Sequence, residues 1–429
     1  MTSVCLRSKC LHAAAAVALL MGGPAGADGE ALRCRIHFID GRNIDGRLIS
    51  IDPSGRVEYR TDASVARVSI DEIETLMPIS TDFVGPRAPQ AVRPGDRICT
   101  FFLADGGELT GRFVGGSTRG AGRRTVRVDA GIGRPVDIPF GRLVAVRLSA
   151  EQTPSLEPEF QARIEGRQAG RDMLIMGRAG KPVAIAGALE NLSPDGWEFA
   201  IGNRTRSGAL RRAYGIVLGS NPVATAPLPA MVRLFGGNRF TARIVSANSS
   251  TLVVDAGPLG RFELSWQTIL RVELQSGRVV YVSDLEPADL IVRSIIGGDW
   301  PPQKNRNVTG GPITIGKRSY ARGIGVHAYT ALVYELNAEF ERFMAEVGID
   351  DSMGGRGNAI FRVRGDGRVL FESPPMSGGD KPVTVSVTLA GVQRLTLECD
   401  EGKGLNLSDH GNWADARLIR TASVRGREN

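Results

Sequence analysis

The sequence of 429 residues has little of the chemistry that metal sites use, because it contains only four histidines and five cysteines. No Cys-x-x-Cys pair and no His-Glu-x-x-His motif occurs, which excludes zinc sites of the usual kinds. Aromatic residues make up 6% of the chain. No GxSxG or P-loop motif is present either. The short motifs of common hydrolases and nucleotide-binding enzymes are therefore missing.

A large excess of one charge is also missing. Lysine and arginine number 53, and aspartate and glutamate number 46, so the formal net charge is +7. Nucleic-acid-binding domains concentrate positive charge on one face, and a surplus this small over the whole chain does not indicate one. No run mixes basic and aromatic residues as RNA-binding sheets do. We therefore expect no nucleic-acid partner.

The most apolar run lies near the amino terminus, and it is short. Leu11–Met21 is too short to span a bilayer as a helix, and Arg7 and Lys9 precede it. Ala25-Gly26-Ala27 follows as a small-residue cleavage pattern. The pattern predicts a signal peptide at residues 1–27 and an exported chain that is periplasmic, on the cell surface or secreted. The alternative is an uncleaved anchor; no later run predicts a transmembrane helix.

Three cysteines lie beyond the predicted signal peptide, each in an apolar alternation typical of strands: Cys34, Cys99 and Cys399. An odd number at wide spacing does not indicate a disulfide framework. We expect three buried thiols, and a bridge between Cys34 and Cys99 is the alternative.

Glycine is abundant, at 54 residues, which favours short strands joined by turns. One pattern of apolar-alternating strands and glycine-containing turns occurs four times, and the third copy is the most divergent. The copies occupy residues 28–80, 95–150, 165–221 and 229–278, with proline-rich links between them. Five short strands in about fifty residues can bury one face by curling into a small barrel. The pattern resembles SH3-like or Sm-like barrels.

Two alternative roles are considered for the barrels: RNA binding, and a role as spacer or docking modules. Sm-like barrels can bind RNA, but export removes the chain from cytoplasmic RNA. We therefore expect spacer modules, or docking modules for other cell-surface proteins.

The chain changes character after the fourth repeat. Strand-like segments alternate with turn signals over residues 279–421, a rhythm typical of a β-sandwich, and residues 422–429 are expected to form a flexible tail. Five motifs follow one another in this region: Tyr281–Leu285 (YVSDL), Gly323–Ala328 (GIGVHA), Val347–Asp351 (VGIDD), Phe361–Gly367 (FRVRGDG) and Asp409–Ala416 (DHGNWADA). In this order they resemble the NPCBM/NEW2 family of carbohydrate-binding modules.

The resemblance implies a jelly-roll β-sandwich of the galactose-binding type that recognises glycans, with galactose-type sugars as the suspected ligands. Such sandwiches are often attached to glycoside hydrolases and often hold a structural calcium ion. Here Lys403 stands in the loop of residues 400–406, where a further acid would suit a cation, so calcium is doubtful. The weak candidate ligands are Asp350, Asp351 and Asp400. No other cofactor is expected.

A sugar presents apolar C–H faces and a ring of hydroxyls, so its site needs an aromatic platform and planar hydrogen-bonding groups. The candidate carbohydrate-binding residues are Trp300, His327, Asp409, His410, Asn412, Trp413 and Asp415. For each of them the alternative is a structural role. His327 would then hydrogen-bond to neighbouring backbone, and Trp413 would belong to the core. Trp300, in a Gly-Asp-Trp-Pro-Pro loop, is the more exposed platform.

These features predict an all-β, exported and non-catalytic carbohydrate-binding protein, with several small barrels followed by a jelly-roll sandwich. Glycoside hydrolysis needs two carboxylates on opposed sides of a bond, usually in a deep cleft, and no catalytic residue is predicted. One alternative is a structural or adhesion protein whose sandwich makes protein contacts. A less favoured one is a glycoside hydrolase accessory with unrecognised activity.

Overall fold

The computed structural model describes residues 32–79, 97–117, 124–148, 154–178, 181–219, 228–293, 300–402 and 407–422. The predicted signal peptide and nearly all of the predicted tail lie outside these ranges. The described residues form strands and short turns with one α-helix, so the predicted all-β class is confirmed. None of their helices is long and apolar enough to cross a membrane.

Four five-stranded units occupy the positions of the four predicted repeats. Unit one contains β1 (Arg33–Phe38), β2 (Asn43–Ile51), β3 (Arg56–Arg60), β4 (Val65–Ser69) and β5 (Ile73–Pro78). Unit two contains β6 (Ile98–Leu103), β7 (Glu108–Ser117), β8 (Thr125–Asp129), β9 (Val136–Pro139) and β10 (Leu143–Arg147). Unit three contains β11 (Asp172–Arg178), β12 (Lys181–Ser193), β13 (Gly196–Ile201), β14 (Arg204–Gly208) and β15 (Gly215–Val217). Unit four contains β16 (Ala230–Leu234), β17 (Arg239–Ala247), β18 (Thr251–Asp255), β19 (Arg261–Ser265) and β20 (Ile269–Leu274).

In each unit the first four strands form an antiparallel meander and the fifth pairs with the first, as β5 does with β1 and β20 with β16. A 3₁₀ turn precedes each last strand: Ile70–Glu72, Phe140–Arg142, Leu210–Arg212 and Trp266–Thr268. Buried and exposed side chains alternate along the strands, so one face of each unit is buried. In β1 the buried side chains are those of Cys34, Ile36 and Phe38. The division into repeats and the SH3-like or Sm-like name both stay predictions.

The units are packed together rather than strung apart, because their last strands pair with one another. β20 pairs with β5, placing Val272 opposite Leu76, and β10 pairs with β15, placing Ala145 opposite Val217. Units one and four therefore share a sheet, as do units two and three. Buried apolar residues of all four units form one contiguous cluster.

The α-helix, α1 (Glu157–Glu165), lies in the proline-rich link between units two and three. Pro158 falls in the first helical turn, where its missing N–H removes no helical hydrogen bond. Phe160 is fully buried and packs edge-to-face on Phe102 at 5.7 Å and on Tyr214 at 5.6 Å between ring centroids. This single buried ring anchors the helix.

Cys34, Cys99 and Cys399 are buried free thiols, as expected, and the alternative of a bridge between Cys34 and Cys99 is wrong. Burial raises the pKa of the Cys34 and Cys99 thiols to about 12. They are small apolar core residues.

Two antiparallel sheets follow unit four and form the predicted sandwich. Its strands are β21 (Val279–Tyr281), β22 (Asp289–Val292), β23 (Gln303–Lys304), β24 (Ile313–Ile315), β25 (Arg318–Tyr320), β26 (Gly323–His327), β27 (Thr330–Glu335), β28 (Phe340–Ile349), β29 (Asn358–Gly365), β30 (Arg368–Glu372), β31 (Met376–Ser377), β32 (Val383–Thr388), β33 (Arg394–Glu401) and β34 (His410–Arg420). One sheet has the order β23-β26-β34-β28-β32, with β21 on β34; the other has the order β22-β27-β33-β29-β30, with β31 on β29. The strands β24 and β25 form a separate two-stranded sheet. Buried Phe343, Phe361 and Leu397 belong to the core between them.

The outer face of the first sheet is covered by the chain that leads into it, and two glycines make this possible. A Cβ on Gly325 would lie 2.4 Å from the backbone nitrogen of Val308, and one on Gly348 would lie 2.4 Å from Cγ2 of Ile315. The glycines of the GIGVHA and VGIDD motifs therefore permit close packing of residues 306–315 on the sheet.

Candidate functional site

Three of the predicted site residues come together at one end of the sandwich. His327 ends β26, His410 begins β34, and the two are paired in register, with ring centroids 5.3 Å apart. Trp300 stacks on His327 at 5.6 Å with an interplanar angle of 12°, and it lies 5.2 Å from His410 at 50°. Trp300, His327 and His410 are called the ring cluster below.

The members of the ring cluster differ in exposure. Trp300 is half-buried, whereas His327 and His410 are only 7% and 8% exposed. The exposed ring surface therefore belongs mainly to Trp300, which rests on the two imidazoles. Nδ1 of His327 lies 2.6 Å from the carbonyl oxygen of Ala328. Because that oxygen can only accept, Nδ1 donates, and Nε2 of a neutral ring is left as an acceptor.

Burial controls the ionisation of the groups at the cluster. It lowers the pKa of His410, the neighbouring His327 lowers it further, and Asp350 opposes the shift. Burial also raises the pKa of Asp409. The backbone N–H of Asn358, which donates to its carboxylate at 2.7 Å, lowers this pKa but does not cancel the effect of burial. Both shifts favour neutral groups. A neutral imidazole can donate and accept hydrogen bonds at once, as sugar hydroxyls require.

Asp350 joins the sheet to the segment that covers it. It is fully buried, and its carboxylate accepts hydrogen bonds from the side-chain amides of Asn412 at 2.8 Å and Asn307 at 3.0 Å, and from the backbone N–H of Thr314 at 3.2 Å. The role of Asn307 cannot be predicted from the sequence, because nothing in a glycine-rich loop indicates that one of its polar residues is buried. Asp350 thereby fastens the covering segment beside the ring cluster.

The structure buries three of the predicted site residues: Asn412, Asp409 and Trp413. Asn412 has no exposed surface, and its side-chain amide donates to Asp350. Asp409 is 3% exposed, and its carboxylate accepts from the backbone N–H of Asn358. Trp413 points to the opposite face of β34 from Asn412, because neighbouring residues alternate along a strand. It is fully buried, at 5.3 Å from the ring of Phe361. These three side chains are buried against protein partners, and their part in sugar binding stays a prediction beside the structural alternative.

Asp415 lies elsewhere. It is five positions along β34 from His410, about 16 Å at the usual rise of a strand. Its carboxylate pairs with Arg417 at 3.1 Å, and the same guanidinium reaches Glu74 of unit one at 3.6 Å. Burial raises the pKa of Asp415. Asp415 thus belongs to the junction with unit one and not to the ring cluster.

The candidate calcium ligands have protein partners. Asp350 is surrounded by the donors described above, Asp351 accepts from the backbone N–H groups of Gly316 and Lys317, and Asp400 pairs with Arg362. Within the described ranges, no group of three or more histidine, cysteine or acidic side chains is placed to hold a metal ion. We assign these three carboxylates structural roles.

Comparison with known proteins identifies the class of the sandwich. The sequence profile of the NPCBM/NEW2 domain matches residues 278–419, so the carboxyl-terminal third of the chain is an NPCBM/NEW2 domain with family resemblance to carbohydrate-binding modules. The match agrees with the resemblance seen in the sequence motifs.

Two relatives are similar to part of this chain. A protein of Renibacterium salmoninarum that carries the name of an endo-alpha-N-acetylgalactosaminidase is 34% identical over 115 residues, which are 27% of this chain and 8% of the relative. Alpha-1,3-galactosidase B of Akkermansia muciniphila is 32% identical over 126 residues, which are 28% of this chain and 16% of the relative. The chain therefore spans less than a fifth of the length of either relative.

A solved structure, the CBM51 module of Clostridium perfringens GH95 in complex with methyl-galactose, is 33% identical to this chain. It covers 33% of this chain and 99% of that chain, with a TM-score of 0.31.

Proposed function

We propose that the sandwich, residues 279–421, binds a glycan at the ring cluster. The observation that carries the proposal is the half-exposed Trp300 stacked on His327 and His410, within a domain that matches a family of carbohydrate-binding modules. The exposed ring of Trp300 would contact the C–H face of a sugar, and the imidazole edges would pair with its hydroxyls. The names of both relatives contain galactose-type sugars, which makes these the first ligands to test.

We further propose that the protein is exported and that this binding is not coupled to catalysis. Two carboxylates near the ring cluster, Asp350 and Asp409, are buried and hydrogen-bonded to the protein, so they do not flank an open space as the acid and base of a glycosidase do. The four packed units would present the sandwich.

Glycan-array screening of the full-length mature chain tests this proposal, with galactose and N-acetylgalactosamine glycans included. We expect retention of at least one galactose-type glycan. A folded protein that retains none would overturn the proposal and favour the adhesion alternative. Turnover of aryl-galactosides that is lost on replacing one carboxylate would refute the non-catalytic part.

A further inference from the structure

A cavity lies where the sandwich meets units one and four. Its volume is about 580 Å³, within the range of about 300–1,000 Å³ that is typical of small-molecule sites. Polar groups and one aromatic ring line most of it: Glu74, Thr75, Glu273, Gln275, Ser276 and Tyr281. We call this cavity the junction cleft. It is distant from the ring cluster, because Tyr281 pairs with Arg417, far along β34 from His410.

The walls of the junction cleft are fixed by main-chain contacts. The pairing of β5 with β20 places Thr75 opposite Glu273, so the walls from units one and four form one sheet. The link from β20 to β21 is anchored at both ends. The N–H of Gln275 donates to the carbonyl of Pro229 at 2.7 Å, and Arg278 pairs with Glu341 at 2.6 Å. The cleft is therefore formed before any ligand enters.

Charges around the junction cleft are balanced. Glu273 pairs with Arg233 at 2.9 Å and with Arg271 at 2.7 Å. Glu74 and Asp415 share Arg417, the former at 3.6 Å. Three carboxylates thus face three guanidinium groups, which selects against a ligand that carries a large net charge. A carboxylate has about four lone-pair positions, so Glu74, with its one long contact to Arg417, keeps room to accept hydroxyl protons.

Tyr281 adds an aromatic ring. The guanidinium of Arg322 lies 4.7 Å from the centroid of that ring, and the residue is half-buried. Burial raises the pKa of its phenol, so its hydroxyl stays protonated and can donate to a ligand at neutral pH. Carboxylates, a phenol, an amide and an aromatic ring in one concave space form a set that suits a polyhydroxylated ligand.

We infer that the junction cleft is a second binding site, for a neutral saccharide unit, which exists only where the sandwich is joined to units one and four. The inference does not depend on the ring cluster. It gives the amino-terminal units a binding role in addition to that of a spacer. Two sites in one chain would also raise the apparent affinity for a polymeric glycan that reaches both.

Calorimetric titration of the full-length Trp300→Ala variant tests the inference, because that variant lacks the platform of the ring cluster. The probes are galactose, N-acetylgalactosamine, lactose and cellobiose. We expect one equivalent of at least one probe to bind. On the same background, Glu74→Ala should weaken binding about tenfold, since it removes a charged hydrogen-bond acceptor. Gln275→Trp, which fills the cleft from its exposed rim, should abolish it.

Glu263→Ala is the matched control, because Glu263 is exposed on unit four and does not line the cleft. It should bind like the Trp300→Ala background. The inference fails if that background binds none of the four probes, or if Gln275→Trp binds as tightly as the background. If instead the ring cluster does not bind a glycan, the result is different. Trp300→Ala would then bind like the wild type, while Gln275→Trp would still lose binding.

Discussion

At the scale of single residues, two tryptophans of the sandwich have opposite roles. Trp300 is half-buried on the ring cluster, whereas Trp413 is fully buried against Phe361. We expect Trp413→Ala to lower the free energy of unfolding by about 3–5 kcal/mol through the cavity that it leaves. Trp300→Ala should cost less than about 1 kcal/mol and lose binding at the ring cluster. Denaturant unfolding and galactose titration of both variants measure the difference.

A result in which Trp300→Ala unfolds as easily as Trp413→Ala would contradict this division. Leu370→Ala is a suitable control, because Leu370 is exposed on β30 at the edge of the other sheet. It should change neither binding nor stability.

The lowered pKa of His410 makes the stability of the sandwich depend on pH. The ordinary histidine pKa is about 6.5, and burial together with His327 places that of His410 below it. Between the two values the unfolded chain binds more protons than the folded one, so stability falls as the pH drops below about 6.5. We expect His410→Gln to flatten this part of a plot of melting temperature against pH.

The comparison of wild type with His410→Gln isolates this residue from Asp409. The raised pKa of Asp409 has the opposite sign, since its folded form binds more protons than its unfolded form. Parallel curves for the two proteins between pH 5 and about 6.5 would refute the assignment.

At the scale of elements, we expect the packing of residues 306–315 on the first sheet to position the ring cluster. Gly325→Ala would place a Cβ 2.4 Å from the backbone of Val308, and backbone cannot move aside as a side chain can. We expect a loss of about 1–3 kcal/mol of stability from overpacking. We also expect weaker sugar binding, because the displaced segment begins six residues after Trp300 in the chain. Thermal unfolding and galactose titration measure both effects.

Gly115→Ala serves as the control for this substitution. A Cβ there would meet no atom closer than 3.8 Å, and its φ is not positive. It should be nearly neutral. Normal binding by a destabilised Gly325→Ala would show that the covering segment does not position Trp300.

The elements also show what sequence patterns can and cannot predict. Alternating apolar residues predict the strands of all four units and the sandwich, because burying one face of a strand requires that alternation. The sequence pattern does not reveal the α1 helix, because proline signals a link between units but is tolerated in a first helical turn, where Pro158 lies. Asn412 and Trp413 are both in the DHGNWADA motif, but the motif does not indicate which face of β34 packs against the core. The role of Asp350 is not predictable either, because its partners come from a loop distant in sequence.

At the scale of the whole molecule, polar contacts join units two and four. Asn238 of unit four is buried; its Oδ1 accepts from the N–H of Thr110 at 2.7 Å, and its Nδ2 donates to the carbonyls of Thr110 at 3.2 Å and Ala130 at 3.1 Å. Thr241 donates to Asp105 at 2.6 Å, and Asp105 also pairs with buried Arg142. These groups replace water at the contact, so the two units should unfold together.

Asn238→Ala tests this coupling, because it leaves three backbone groups of unit two without their partner. An unsatisfied buried polar group costs about 1–3 kcal/mol, so both units should lose protection against amide hydrogen exchange. Asn248→Ala is the control: Asn248 lies in unit four, but it accepts from Ser250 and Thr251 within its own turn. That variant should affect only unit four. If Asn238→Ala left the amides of β6 and β7 fully protected, units two and four would be independent modules.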